Sequence, residues 1–395
     1  MLTLGVIGRS GKPDERRLPI HPAHVAGIDA DLRAVMYLEH GYGDAFGVPD
    51  AELAPLVAGM RSRTELVATC DVVLLGKPLL ADVAALREHQ VLWGWPHVVQ
   101  DEALTQVAID RHLTLIAFEA MNHWHSDGSF SLHVFHRNNE LAGYCSVLHA
   151  LQLIGVTGDY GPRRRAVVIG FGATARGAVT ALNTHGIHDV RVLTNRDVAA
   201  VASPIPSAWM VQLDHDGDTT SVREATVDTL GPRRSHAHSH ANTDAGRVPL
   251  PDFLAEHDII VNCVLQDPTS PQTFLTDDDL PLLAPGTLVV DVSCDEGMGF
   301  SWARPTSFAD PMTIVGDRVH YYAVDHSPSY LWDSATWVNS NALLPHLRTV
   351  LEGPAAWEAD DVIGRAVEIH DGVVRNQAAL AFQHRATAPP HHRLP

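Results

Sequence analysis

The chain has 395 residues, 45% of them hydrophobic and 19% charged, a globular composition long enough for two domains of ordinary size. Its 28 basic and 47 acidic residues leave a formal charge of −19, which repels phosphate backbones and argues against nucleic-acid binding. The lack of any apolar run of about eighteen residues predicts no membrane-spanning helix, and the start MLTLGVIGRSGK lacks the basic-then-apolar pattern of a signal peptide.

From the N-terminus, Leu2–Ile7, Val72–Leu75, Val91–Trp95 and Leu113–Phe118 read as buried parallel strands, being short and almost wholly apolar. Asp50–Met60 and Asp101–Arg111 carry apolar residues at helical spacing. This alternation predicts an open α/β sheet. Asn138–Ile154 reads as a helix of four to five turns, with Gly155 as its cap. A second α/β unit follows: the strand Ala166–Ile169, a glycine turn opening a helix, Gly186 closing it, and strands at Val190–Leu193, Ile259–Cys263 and Leu288–Val292. Between Ser203 and Pro251 the pattern degrades into Gly, Pro, Asp, Arg and His, which reads as a surface insertion. From Gln383 onward the composition is that of a disordered tail.

Four cysteines, Cys70, Cys145, Cys263 and Cys294, lie without CxxC spacing. Neither a disulfide framework nor a zinc cage is expected, and a reducing cytoplasm fits. The 25 histidines make net charge move strongly between pH 7 and about 5.5. Only Lys12 and Lys77 are lysines; every other fixed cation is arginine, so both positions invite scrutiny.

The strongest motif is Gly170-Phe-Gly172-Ala173-Thr174-Ala175, directly after a strand and opening a helix. Glycines there let the backbone approach a pyrophosphate seated on the helix N-terminus. The next strand ends Leu193-Thr194-Asn195-Arg196, with no carboxylate to hold a ribose 2′-hydroxyl until Asp197. Neutral groups plus Arg196 would accept the 2′-phosphate of NADP; the other reading of Arg196 is a solvated loop residue. Val264 and Leu265, beyond the strand Ile259–Cys263, complete the expected nucleotide contacts.

Lys12, Arg16 and Arg17 follow the first strand, Lys77 follows VVLLG and His97 follows VLWGWP. Strand carboxyl ends are where α/β proteins gather ligands. An arginine fork with a lysine suits a carboxylate or 2-oxo acid, and a histidine beside them suits proton transfer. Asp295 follows the strand LVVDVSC and would orient water or an amine, whereas Asp291 inside it reads as a satisfied structural acid. His236, His238 and His240 would align on one face if extended, so metal binding is one reading and a low-complexity loop the other; no metal is expected. His123, Trp124 and His125 are ambiguous. No HExxH, P-loop or GxSxG turn occurs.

The segments GVIGRSGKPDERRLPIHP, HVFHRNNELAGYCSVLHAL, VVIGFGATARGAV, VVDVSCDEG and YYAVDHSPSYLW resemble the alanine dehydrogenase and pyridine-nucleotide transhydrogenase family. HVFHRNNELAG and YYAVDHSPSYLW resemble its N5-(carboxyethyl)ornithine synthase branch, while alanine dehydrogenases would show an NMP-type motif near Asp325-His326-Ser327-Pro328. The resemblance puts the family's substrate arginine on Arg17, its substrate lysine on Lys77, its catalytic histidine on His97 and its catalytic aspartate on Asp295. It implies two Rossmann-like α/β domains with parallel sheets and a substrate and nucleotide cleft between them. Residues 1–140 with 328–385 would form the substrate domain, 141–327 the NADP-binding domain with an insertion near 203–251, and 386–395 a flexible tail.

The implied activity is NADPH-dependent, opine-type reductive condensation of a pyruvate-like 2-oxo acid with the amine of an ornithine- or lysine-like amino acid. NAD is the alternative cofactor. Arg17 and Lys77 would hold the oxo acid, His97 would help expel water from the carbinolamine, and Asp295 would steer the amine or the developing cation. The partners implied are small molecules and further copies of the chain in a homo-oligomer. Two other readings stay open: an alanine-type dehydrogenase using ammonia, and a dinucleotide-binding protein without turnover. The joint presence of Arg17, Lys77, His97 and Asp295 argues against the last.

Overall fold

The computed structural model describes residues 1–195, 205, 207–215, 239–243, 246–266 and 271–394. The chain forms two units: Met1–His136 together with Leu331–Pro395, and Arg137–Tyr330. Each is an α/β sheet with helices on both faces.

In the first unit six parallel strands are Leu4–Val6, Met36–Glu39, Gly59–Arg61, Val72–Leu74, Val91–Gly94 and Thr114–Ala117. Side by side they run third, second, first, fourth, fifth, sixth. Two late strands, Val367–His370 and Val373–Val374, extend the Thr114–Ala117 edge antiparallel. Leu4, Val6, Val72, Leu74, Trp93 and Ile116 pack into one core, while Val73, Leu92 and Leu115 pack into another. Alternate residues point to opposite faces, and both faces are buried, so the strands read as unbroken apolar runs.

The second unit repeats the order. Its parallel strands are Arg165–Ile169, Asp189–Thr194, Trp209–His215, Ile259–Asn262, Leu288–Asp291 and Val319–Tyr322, again arranged third, second, first, fourth, fifth, sixth. Antiparallel strands flank it: Ser239–Thr243 and Gly246–Pro249 at one edge, Met312–Val315 at the other. In this arrangement the crevice for a ligand opens beyond the carboxyl ends of the first and fourth strands, where the order reverses.

Gly143, in the helix His136–Leu153, and Gly177, in the helix Ala173–Thr184, let these two helices touch backbone to backbone. A Cβ at Gly177 would lie 1.8 Å from the Glu140 carbonyl oxygen, and one at Gly143 would lie 2.0 Å from that of Thr174. The helix that opens at the glycine turn is held against its neighbour by this contact.

Three expectations need correction. Asp50–Met60 is not one helix: Asp50–Leu53 is helical, a 3-10 turn follows at Ala54–Leu56, and Gly59–Arg61 is a strand. Pro55 has no N–H to continue the helix, and the edge of the Met36–Glu39 strand offers partners instead. Ser203–Pro251 is not simply an insertion, because Trp209–His215 is the third parallel strand and two more strands follow. His236 and His238 lie outside the described residues.

The end of the chain is packed rather than loose. The Gln383 amide donates to the carbonyls of Val98 and Val99 at 2.7 and 3.2 Å, and buried Arg385 donates to Gln383 and Gln106 at 2.7 Å each. His391 accepts the Val374 N–H at 3.0 Å, so polar side chains rather than an apolar stripe fix this segment. Among the described residues no helix is long and apolar enough to cross a membrane.

Gly177→Ala should lower stability by about 1–3 kcal/mol, the usual cost of forcing atoms into a filled contact, because backbone cannot yield as a side chain can. A urea unfolding midpoint equal to that of the parent protein would show that the helix contact adjusts freely.

Candidate active site

At the carboxyl edge of the first sheet, three loops meet. Lys77 leaves the Val72–Leu74 strand, and its carbonyl accepts the Ser10 hydroxyl at 2.5 Å, tying it to the loop after Leu4–Val6. His97 leaves the Val91–Gly94 strand. Lys77 Nζ and His97 Nε2 stand 2.8 Å apart. His97 has φ +50°, a left-handed conformation uncommon outside glycine, and Glu119 fixes it: Oε1 accepts the His97 N–H at 2.7 Å and lies 3.9 Å from Nδ1.

Arg17 is buried and completes the group. Its guanidinium lies 5.6 Å from the centre of the Trp95 ring, and Lys77 Nζ lies 5.3 Å from the same ring. Glu15 takes its fork, accepting from Nε at 2.8 Å and Nη2 at 2.6 Å. A small recess is lined by Arg17, Lys77, Trp95, Phe118 and Asn339. Asn339 Oδ1, on the helix Trp332–Leu343, is buried there without a partner among the described residues, an acceptor open to a substrate N–H or O–H.

Burial, then the charge of Arg17, pulls the Lys77 ammonium down from 10.5 to about 8. Burial, then the nearby Glu368, pushes the Glu119 carboxyl up to about 8. Burial raises Glu368 itself to about 7, although Asn376 donates to it at 2.7 Å. Such shifts are what a proton-transfer site needs.

Sequence reasoning thus placed Arg17, Lys77 and His97, which the first unit brings together, and missed Glu119, Glu15 and Asn339. Glu119 was within reach, since it too follows a buried strand, Thr114–Ala117. Asn339 carries no local signal, standing in a helix 220 to 262 residues later than the loops it joins (339 against 119, 97 and 77).

The other predicted residues belong to the second unit. Gly170 has φ +116°, and a Cβ there would lie 3.0 Å from the Cys263 carbonyl oxygen; Gly172 faces open space. The helix from Ala173 begins with no side chain capping it, so its first N–H groups are offered outward, with Thr174 and Ala175 in that first turn. Thr194 is buried at the end of its strand and Asn195 is exposed; Arg196 lies outside the described residues. Val264 donates its N–H to Asn262 Oδ1 at 3.1 Å, and Leu265 is 95% exposed. These features fit a dinucleotide: a turn only glycine can make, an open anion-binding helix end and an apolar side chain free to cover a ring. Asp295 is half-buried, which raises its carboxyl. Asp291 is fully buried and satisfied by Asn262 at 2.9 Å, Tyr321 at 2.8 Å and the Cys294 N–H at 3.2 Å, as a structural acid should be. Among the described residues no cluster of three or more His, Cys, Asp or Glu side chains could hold a metal.

Two family models match: the alanine dehydrogenase/PNT N-terminal domain over residues 7–141 and the C-terminal domain over 161–377. The chain is 23% identical over 345 residues to an N(5)-(carboxyethyl)ornithine synthase of Clostridium botulinum, covering 85% of this chain and 90% of that one. It is 23% identical to an alanine dehydrogenase of Mycobacterium tuberculosis, covering 93% of each. Among solved structures, an L-alanine dehydrogenase shares the fold with a TM-score of 0.71 at 19% identity, covering 96% of this chain and 99% of that one. A transhydrogenase from Sinorhizobium meliloti does so with a TM-score of 0.68 at 19% identity, covering 95% and 99%.

With only two lysines in the chain, amine chemistry reads Lys77 cleanly. Labelling by an acylating reagent, followed by peptide mass spectrometry, should show Lys77 reactivity half-maximal at about pH 8. A half-point near the ordinary 10.5 would mean that burial and Arg17 do not act on it as described.

Proposed function

Because the chain belongs to the alanine dehydrogenase/PNT family, a family of pyridine-nucleotide oxidoreductases, we propose that it joins a 2-oxo acid to an amino acid's amine and reduces the resulting C=N bond. The observation that carries this reading is the Lys77–His97 pair at 2.8 Å beside the Arg17 fork. The first takes and gives protons; the second takes a carboxylate.

The oxo-acid carboxylate binds the Arg17 guanidinium alongside Glu15, and Lys77 polarises the ketone. The neutral amine attacks the carbonyl carbon, giving a carbinolamine whose hydroxyl leaves as water with the proton that Lys77 and His97 share, delivered through His97. Asn339 Oδ1, at the recess wall, accepts the N–H of the planar iminium. Gly170, Gly172 and the first turn from Ala173 to Ala175 would hold a pyridine nucleotide, with Thr194, Asn195, Val264 and Leu265 around it; when bound, it supplies the hydride. The neutral Asn195, where NAD sites place an acid, supports NADP. Relatives named alanine dehydrogenase match over as much of the chain, which supports a second reading in which ammonia is the amine.

NADPH oxidation should therefore need pyruvate plus ornithine or lysine, and ammonia alone with pyruvate should serve poorly; the reverse result selects the second reading. Lys77→Ala should nearly abolish turnover while NADPH fluorescence titrations stay unchanged, and His97→Asn should slow turnover about 10²–10⁴-fold. Since Lys77 is charged below about pH 8 and neutral above it, kcat/KM for the oxo acid should fall as pH rises through that value. A flat profile from pH 6 to about 10 would remove the ammonium from oxo-acid binding.

A further inference from the structure

Beside the recess lies a second, larger chamber of about 450 Å³, a volume ordinary for a small-molecule site. Glu15 and Leu18 line both, so the two are neighbours across a shared wall. The chamber opens at the carboxyl ends of Leu4–Val6 and Met36–Glu39, with the aromatic rings of Tyr42 and Trp332 in its lining.

Its charges are unevenly committed. Glu15 is bound to Arg17, and Glu39 is bound to Arg63 at 3.1 Å and to the Gly8 N–H at 2.8 Å. His40 is paired with Asp50 at 3.1 Å. Arg9 and Arg16 also line the chamber, both exposed, and neither guanidinium has an ion pair or hydrogen bond among the described residues. In a chain with a formal charge of −19, two arginines left over in one chamber whose acids are already neutralised make a local cationic site. Guanidinium forks match a carboxylate in geometry as well as charge.

We propose that this chamber binds the carboxylate of the amine substrate, an amino acid that reacts through its side-chain amine. The inference rests on the condensation reading. There the oxo-acid carboxylate goes to Arg17, so the only further anion in the pair of substrates is the amino acid's own head group. The methylene stem runs past Leu18 along the wall between the chambers, with the aromatic rings for apolar contact. An enzyme that takes ammonia has no use for a second cationic chamber beside the first.

The test compares L-ornithine with 1,4-diaminobutane, the same chain without its carboxylate, each with pyruvate and NADPH. In Arg9→Ala/Arg16→Ala, KM for ornithine should rise about tenfold or more, the weight of one lost charge-assisted contact, while KM for diaminobutane and pyruvate stays the same. An unchanged ornithine KM overturns the proposal. So does a loss confined to NADPH binding, which would assign the arginines to a nucleotide phosphate. If the unmodified enzyme uses ammonia and neither amine, the condensation reading has failed, and calorimetry then decides the chamber alone. Ornithine binding that the double variant weakens about tenfold supports it; absent or equal binding overturns it.

Discussion

Lys77 Nζ and His97 Nε2, 2.8 Å apart, cannot both carry their full complement of protons, because each would then present only donors to the other. One proton must be shared out between two bases, and the surroundings decide how. Burial and Arg17 disfavour the ammonium, the Trp95 face offsets part of that cost, and the backbone of His97 is pinned by Glu119 in a conformation that free histidine seldom adopts. Three loops must therefore meet within hydrogen-bond distance, which the sheet order provides by placing their strands side by side.

That order occurs twice in the chain and ends in two different chemistries. In the first unit the N–H groups of Gly8 and Arg9, just past the first strand, are taken by the Glu39 carboxylate at 2.8 and 3.3 Å. In the second unit the matching turn holds Gly170 and Gly172, and the helix beyond it starts without a side-chain cap. One unit supplies its own anion at the place where the other offers N–H groups to a ligand's. A single glutamate at the end of a second strand thus separates two sheets of the same topology, one with its N–H groups taken and one with its helix end uncapped.

What could be read from the sequence follows from how local each signal is. Strands such as Val72–Leu74 and Leu288–Asp291 announce themselves because both faces are buried, so apolar residues run without interruption. Lys77 and His97 follow from the same fact, since the residue after such a strand lands at the ligand edge. Trp209–His215 was obscured because only Val211 and Leu213 among its alternate residues turn inward to the core, while Trp209 is 71% exposed and the neighbouring composition is polar. The Asp50–Met60 stretch has helical spacing throughout, yet Pro55 outweighs it. Gln383, Arg385 and His391 escaped notice because buried polar side chains leave no hydrophobic period behind them. The approach of Glu368 to Glu119, whose carboxyl it pushes up, joins positions far apart in the chain through the late antiparallel strand.

The last of these contacts bears on how the protein is made. Arg137–Tyr330 is one continuous stretch and can close its sheet while the remainder is still being synthesised, as domains commonly do. The other unit cannot. Gln383 holds the carbonyl of Val98, the residue after His97, and Asn339 and Glu368 also arrive late. The loop that carries His97 thus acquires its last supports only when the segment around Gln383 has left the ribosome. Until then the N-terminal strands stand with an uncovered sheet edge at Thr114–Ala117, the kind of edge that invites pairing with another chain. Quality control during synthesis, rather than catalysis, is where the divided layout of the first unit exacts its demand.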